Sequence, residues 1–139
     1  MFNFWWRKPK ILGTWKLEEQ YILKEDWQKL PIIWSYKFIN DTSWNNVEKV
    51  GKIYHCFGGN YIYKRDYTSS TFPYTYIEEK IFSDKETNLN SKTVFSCYVN
   101  NNKLEIIGTL PSGLKIREVW EKDNFKKEND DSKPIGKNP

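Results

Sequence analysis

Histidine is nearly missing from this chain of 139 residues, His55 being the single example, so a multi-histidine metal site is excluded. The adjacent Cys56 does not complete one, because neighbouring residues of a strand point to opposite faces. Cysteine is equally sparse. Cys56 and Cys97 do not amount to a disulfide scaffold. Neither sits in a turn, and both are expected to be reduced and buried. A bridge between them, the alternative, would stabilise the fold by about 4 kcal/mol through loop closure. No apolar run is long enough to span a bilayer as a helix, and no glycine-rich strand-to-helix loop is present to cradle phosphate. Charge of one sign is lacking too: 22 Lys and Arg stand against 18 Asp and Glu, a net +4 scattered along the chain. Without a concentrated basic tract, nucleic acid is not an expected partner.

What the chain does have is aromatic side chains. Seven Trp, nine Tyr and eight Phe make up 17% of it, and rings with a polar tip suit the walls of a barrel or a binding site. The length fits one domain with a worthwhile core, and composition divides it into residues 1–10, 11–123 and 124–139. In the first segment Phe2, Phe4, Trp5 and Trp6 precede Arg7, Lys8 and Lys10, the reverse of a signal peptide. It reads as an aromatic strap closing one end of the domain, with peripheral membrane contact as the alternative. The last segment is polar and charged and is expected to be a mobile tail. The expected compartment is cytoplasmic, or secreted if a leader has been removed.

Between these ends the pattern is of strands. Residues 10–23 alternate Ile11, Gly13, Trp15 and Leu17 with Leu12, Thr14, Lys16 and Glu18. Residues 25–30 form a connection with one helical turn, whose Trp27 folds over a barrel mouth or tucks into a surface loop. In residues 32–39, Trp34, Tyr36 and Phe38 lie opposite Ile33, Ser35, Lys37 and Ile39. Residues 40–46 are rich in turn formers. Residues 52–57 and 61–67 flank Gly58-Gly59-Asn60, a hairpin signal. Residues 74–82 follow Pro73, which suits a strand start. Residues 92–99 and 103–107 join through Asn100-Asn101-Asn102, and Pro111-Ser112-Gly113 turns into the last strand. About eight strands with short sequential connections predict an all-β fold, an up-and-down antiparallel β-barrel, with a β-sandwich as the alternative.

Two motifs sharpen that expectation. Ile11-Leu12-Gly13-Thr14-Trp15-Lys16-Leu17 resembles the Gly-x-Trp opening of the lipocalin and fatty-acid-binding superfamily, the calycins. The closing Arg117-Glu118-Val119-Trp120-Glu121-Lys122 is similar to the Arg-x-Tyr-Glu-Lys ending of the fatty-acid-binding branch, with one residue more. The resemblance covers about residues 10–122. It implies that Gly13 and Trp15 plug one barrel end, with a cation of the last strand, Arg117 by preference, lying across the Trp15 ring. It also implies small-molecule binding inside the barrel.

Catalysis has little to build on. A Cys–His pair would need Cys97 from another strand, and Glu78 and Glu79 point to opposite faces, so no catalytic residue, metal or cofactor is assigned and the protein is read as non-enzymatic. The stronger chemical signal is polar-tipped rings at alternating positions: Tyr61, Tyr63, Arg65 and Tyr67 on one face, Tyr74, Tyr76, Glu78 and Lys80 on another. If these faces turn inward, Tyr36, His55, Tyr63, Arg65 and Tyr76 are the expected ligand-binding residues, with Arg65 meeting an acidic group on a small hydrophobic, amphipathic or aromatic molecule. If they turn outward, Ile62 lies inside instead. The alternative function is a protein-interaction or inhibitor module whose barrel is filled by its own side chains and which works through its outer surface.

Overall fold

Short polar turns alternate with strands long enough to cross a small barrel, and the computed structural model, which describes residues 9–85 and 88–123, closes them into one sheet. The strands are β1 (Gly13–Leu23), β2 (Trp27–Lys29), β3 (Trp34–Ile39), β4 (Ser43–Val50), β5 (Ile53–Arg65), β6 (Tyr74–Ser83), β7 (Lys92–Val99), β8 (Lys103–Thr109) and β9 (Lys115–Lys122). From β3 to β9 each strand pairs antiparallel with the next, and β1 joins β3 on one edge to β9 on the other. Closure leaves eight strands without a free edge, which removes the template for edge-to-edge association. The extra strand β2 lies on the far half of β1, where Leu23 pairs with Trp27. The expected helical turn there is thus a strand, and Trp27 is partly exposed on it rather than folded over the mouth. Of the expected strap, residues 1–10, residues 1–8 lie outside the described residues, as does the whole of the expected tail, residues 124–139.

Two local expectations fail, and they cancel in the strand count. Gly58-Gly59-Asn60 is not a hairpin turn but the middle of β5, a 13-residue strand. There β6 carries a bulge, Gly58 pairing with Phe82 and Gly59 with Lys80. The glycines are needed for close approach, since a Cβ on Gly58 would strike the Trp44 carbonyl oxygen and one on Gly59 that of Glu79. Conversely, residues 43–46 are not turn but the start of β4. The turn proper is shorter: Asn40 Oδ1 accepts hydrogen bonds from the backbone N–H of Thr42 at 3.0 Å and of Ser43 at 2.8 Å. Asn100 repeats the device, accepting from Asn102 N at 2.9 Å and Lys103 N at 2.8 Å.

The core fills one end of the barrel. Trp15, fully buried, packs there with Ile11, Ile39, Trp44, Leu104 and Ile106, and its Nε1 donates to the Ile11 carbonyl at 2.9 Å. The cation across its ring is Lys122, with Nζ 4.5 Å from the ring centroid and 2.5 Å from the Leu12 carbonyl oxygen, and not Arg117. The two registers explain the change: Trp15 pairs with Lys122, whereas Arg117 sits opposite Tyr21 on the outer face. There Arg117 stacks on Tyr21 at 4.9 Å and pairs with Glu105 at 2.6 Å. Gly13 sits at φ +134°, a conformation that residues with a side chain rarely adopt, and a Cβ there would also displace the end of Lys122. Cys97 is buried as expected, and burial pushes its thiol up to about 12. Cys56 is exposed, correcting the expectation for that residue, and both thiols are free.

Candidate functional site

Strand alternation decides what faces the lumen, and on β3 it does so against the usual apolar preference. Ser35, Lys37 and Ile39 are buried, while Trp34 and Phe38 are exposed. The same inward phase carries Trp44, Asn46 and Glu48 on β4, and Tyr74, Tyr76, Glu78 and Lys80 on β6. Register places Lys37 opposite Asn46, and Lys37 Nζ donates to Asn46 Oδ1 at 2.9 Å. It also forms an ion pair with Glu78, both side chains nearly inaccessible. The Trp44, Trp120 and Tyr76 rings surround the ammonium at 4.8, 5.2 and 5.9 Å from their centroids. Tyr76 in turn donates its hydroxyl to Glu78 Oε2 at 2.7 Å, and burial pushes its own ionisation well up. Taking one charge out of water costs several kcal/mol unless it is paired and hydrogen-bonded. The network supplies that pairing.

Above this polar floor lies a cavity of about 340 Å³. Its wall is apolar, with Leu17, Ile22, Ile33, Phe57, Phe95 and Ile116. Residues 110–112 and 114, with Asn88 and Ser91, form part of the rim. Lys80 reaches toward the cavity with its ammonium 4.8 Å from the Phe57 ring centroid. Two further carboxyls, Glu48 and Glu118, belong to the lining. Glu118 accepts a hydrogen bond from Trp120 Nε1 at 3.2 Å. Burial first, then the neighbouring Glu78 and Glu48, raise its carboxyl from 4.5 to about 7, with Lys37 opposing.

None of the five expected ligand-binding residues lines this cavity. Tyr36 stands on the outer face, its ring 4.9 Å from Trp34 and 6.4 Å from Phe38. His55 sits at the tip of β5, with Nδ1 3.3 Å from Asp84 Oδ2. The inward reading does hold for Tyr63 and Tyr76, while Ile62 is exposed, but both rings fill the packed end. Tyr63 stacks on Tyr74 at 4.6 Å and Tyr76 on Phe95 at 6.0 Å. Arg65 is exposed there, 5.5 Å from the Tyr67 and Tyr74 rings. Only Tyr76 touches the floor, through Glu78. The residues missed are Lys37, Asn46, Glu48, Glu78 and Glu118. Lys37 carried a signal, a lysine in phase with Ile33 and Ile39 across from three aromatics. Glu118 carried none.

Closed barrel, packed tryptophan end and open cavity together define a lipocalin-like fold of calycin type. No family model matches the chain and no curated protein matches it in sequence. Among solved structures it is similar to a lipocalin-like protein from Bacteroides uniformis ATCC 8492, with a TM-score of 0.57 at 12% identity over 83% of this chain and 100% of that one. It is also similar to an uncharacterized protein from Bacteroides eggerthii DSM 20697, with a TM-score of 0.53 at 16% identity over 81% of this chain and 98% of that one. At such identities the likeness is one of fold. Among the described residues, no helix is long and apolar enough to cross a membrane.

Proposed function

We propose that the barrel binds and holds a small amphipathic or aromatic molecule in its cavity, without chemically changing it. The observation that carries this reading is an unfilled volume of about 340 Å³ whose lining separates into an apolar wall and a polar floor. That size falls in the usual range for small-molecule sites, and such sites combine apolar walls with a few convergent polar groups. The tail of the ligand lies along Ile22, Phe57 and Ile116, and its head meets the floor. A second reading draws on the outer aromatic row, where Trp34 also meets Tyr54 at 5.7 Å. That row suits a protein contact, and large exposed apolar patches mark such surfaces.

Titration with an environment-sensitive apolar dye tests the first reading. Dye should bind the parent, be displaced by small amphiphiles, and fail to bind Ile33→Trp, in which the larger ring occupies the mouth while the β-rich circular dichroism spectrum is kept. No dye binding to the parent, or undiminished binding to folded Ile33→Trp, overturns it in favour of the outer surface.

A further inference from the structure

The floor of the cavity is short of positive charge. Three carboxyls face the lumen, Glu48 from β4, Glu78 from β6 and Glu118 from β9, against the ammonium groups of Lys37 from β3 and Lys80 from β6. Lys37 is already engaged by Glu78 and Asn46. Lys80 is held over the Phe57 ring. Among the described residues neither Glu48 nor Glu118 is ion-paired. Glu118 accepts from one donor, Trp120 Nε1, and its half-buried carboxyl belongs to the cavity lining, so acceptor capacity remains for a donor on a ligand. The neighbouring Trp44 and Trp120 rings, already flanking the Lys37 ammonium, add negative π faces to the same region.

We propose that the head group this cavity selects is a cation, an alkyl- or arylalkylammonium seated between Glu118 and Glu48 with its tail along the apolar wall. The inference rests on the binding reading above and deepens it. A carboxylate ligand would meet an excess of like charge and only Lys80 to oppose it. An ammonium supplies donors to the open side of Glu118 and cancels the excess. Since Glu118 must ionise to pair with it, binding expels a proton that burial chiefly holds on; Lys37 and the Trp120 N–H favour the ionisation, and Glu78 and Glu48 oppose it. Affinity for the cation therefore rises with pH through about 7.

The test is dye displacement by three probes of equal chain length, a primary alkylamine, the corresponding alcohol and the corresponding carboxylate. At about pH 8 the amine should displace at a concentration lower by about tenfold or more, the scale of a charge-assisted hydrogen bond. That advantage should shrink at about pH 5.5 as Glu118 takes up its proton. It should collapse in Glu118→Gln and be reduced in Glu48→Gln, each checked for a cooperative melt. Dye binding with the alcohol or carboxylate equal to or better than the amine overturns the cation and leaves the cavity reading standing. An amine advantage that survives both substitutions also overturns it. Absence of any dye binding overturns both readings together.

Discussion

Replacing Glu118 by Gln should make the ligand-free barrel more stable at high pH relative to the parent. In the folded protein the carboxyl is raised from 4.5 to about 7, burial being the largest cause. In the unfolded chain it titrates near its ordinary value. Between those two values the native state keeps a proton that the unfolded state has released, so stability falls as pH rises from about 4.5 to about 7 and stays low above. At about 1.4 kcal/mol for each tenfold change in proton affinity, the full rise corresponds to about 3 kcal/mol. Water in the cavity reaches part of the side chain, so about 2 to 3 kcal/mol is the expected loss. Gln keeps the shape and the acceptor for Trp120 Nε1 but does not ionise. Thermal melts of both proteins at about pH 5 and pH 8 isolate the effect, because every other titrating group is common to the pair. The melting-temperature difference, variant minus parent, should grow by about 8 °C between the two conditions, taking about 4 °C per kcal/mol for a domain of this size. A difference that stays constant with pH would show Glu118 to be solvated and ordinary, and would remove the physical reason for a cation at the floor.

At the packed end, Trp15→Ala should cost roughly 3 to 5 kcal/mol in denaturant melts, and a protein melting within a degree or two of the parent would contradict the plug. Lys122→Met should cost about 1 to 2 kcal/mol through the lost ring contact and the lost bond to the Leu12 carbonyl. Arg117→Met should cost less than about 1 kcal/mol, since its partner Glu105 and the Tyr21 ring lie on the outer face, and the reverse order would refute the assignment of Lys122. Alkylation followed by mass spectrometry without reductant should place one label on the native protein, at Cys56, and a second only after unfolding, because Cys97 is buried with its thiol pushed up to about 12. Two rapid native labels, or none after unfolding, would contradict the buried free thiol.

Much of the architecture was legible in the residues. Alternation in residues 10–23, the asparagine turns and the Gly-Trp opening each report a local preference, and local preferences are what a linear pattern records. A barrel of eight strands with short connections is therefore readable even though one hairpin is misplaced, β4 is overlooked and β2 is read as a helical turn. The misplacement has a tertiary cause: Gly58-Gly59 has turn chemistry, but here the glycines serve the approach of the Trp44 and Glu79 carbonyls from strands on either side. The overlooked β4 has another, since Asn46 and Glu48 look like solvent-facing residues and in fact face the lumen. A strand has two faces, and its own sequence tells which residues share one but not which face is inside. On β3 the answer ran against hydrophobicity, with Lys37 inward and Trp34, Tyr36 and Phe38 outward. That choice is settled by a carboxylate 41 positions along the chain, Glu78, which becomes a neighbour only when the barrel closes. The site follows the same division: local pattern is enough to specify a barrel with polar-tipped rings, whereas closure selects which polar groups converge on its cavity, because long-range charge pairing and desolvation exist only once the strands have met.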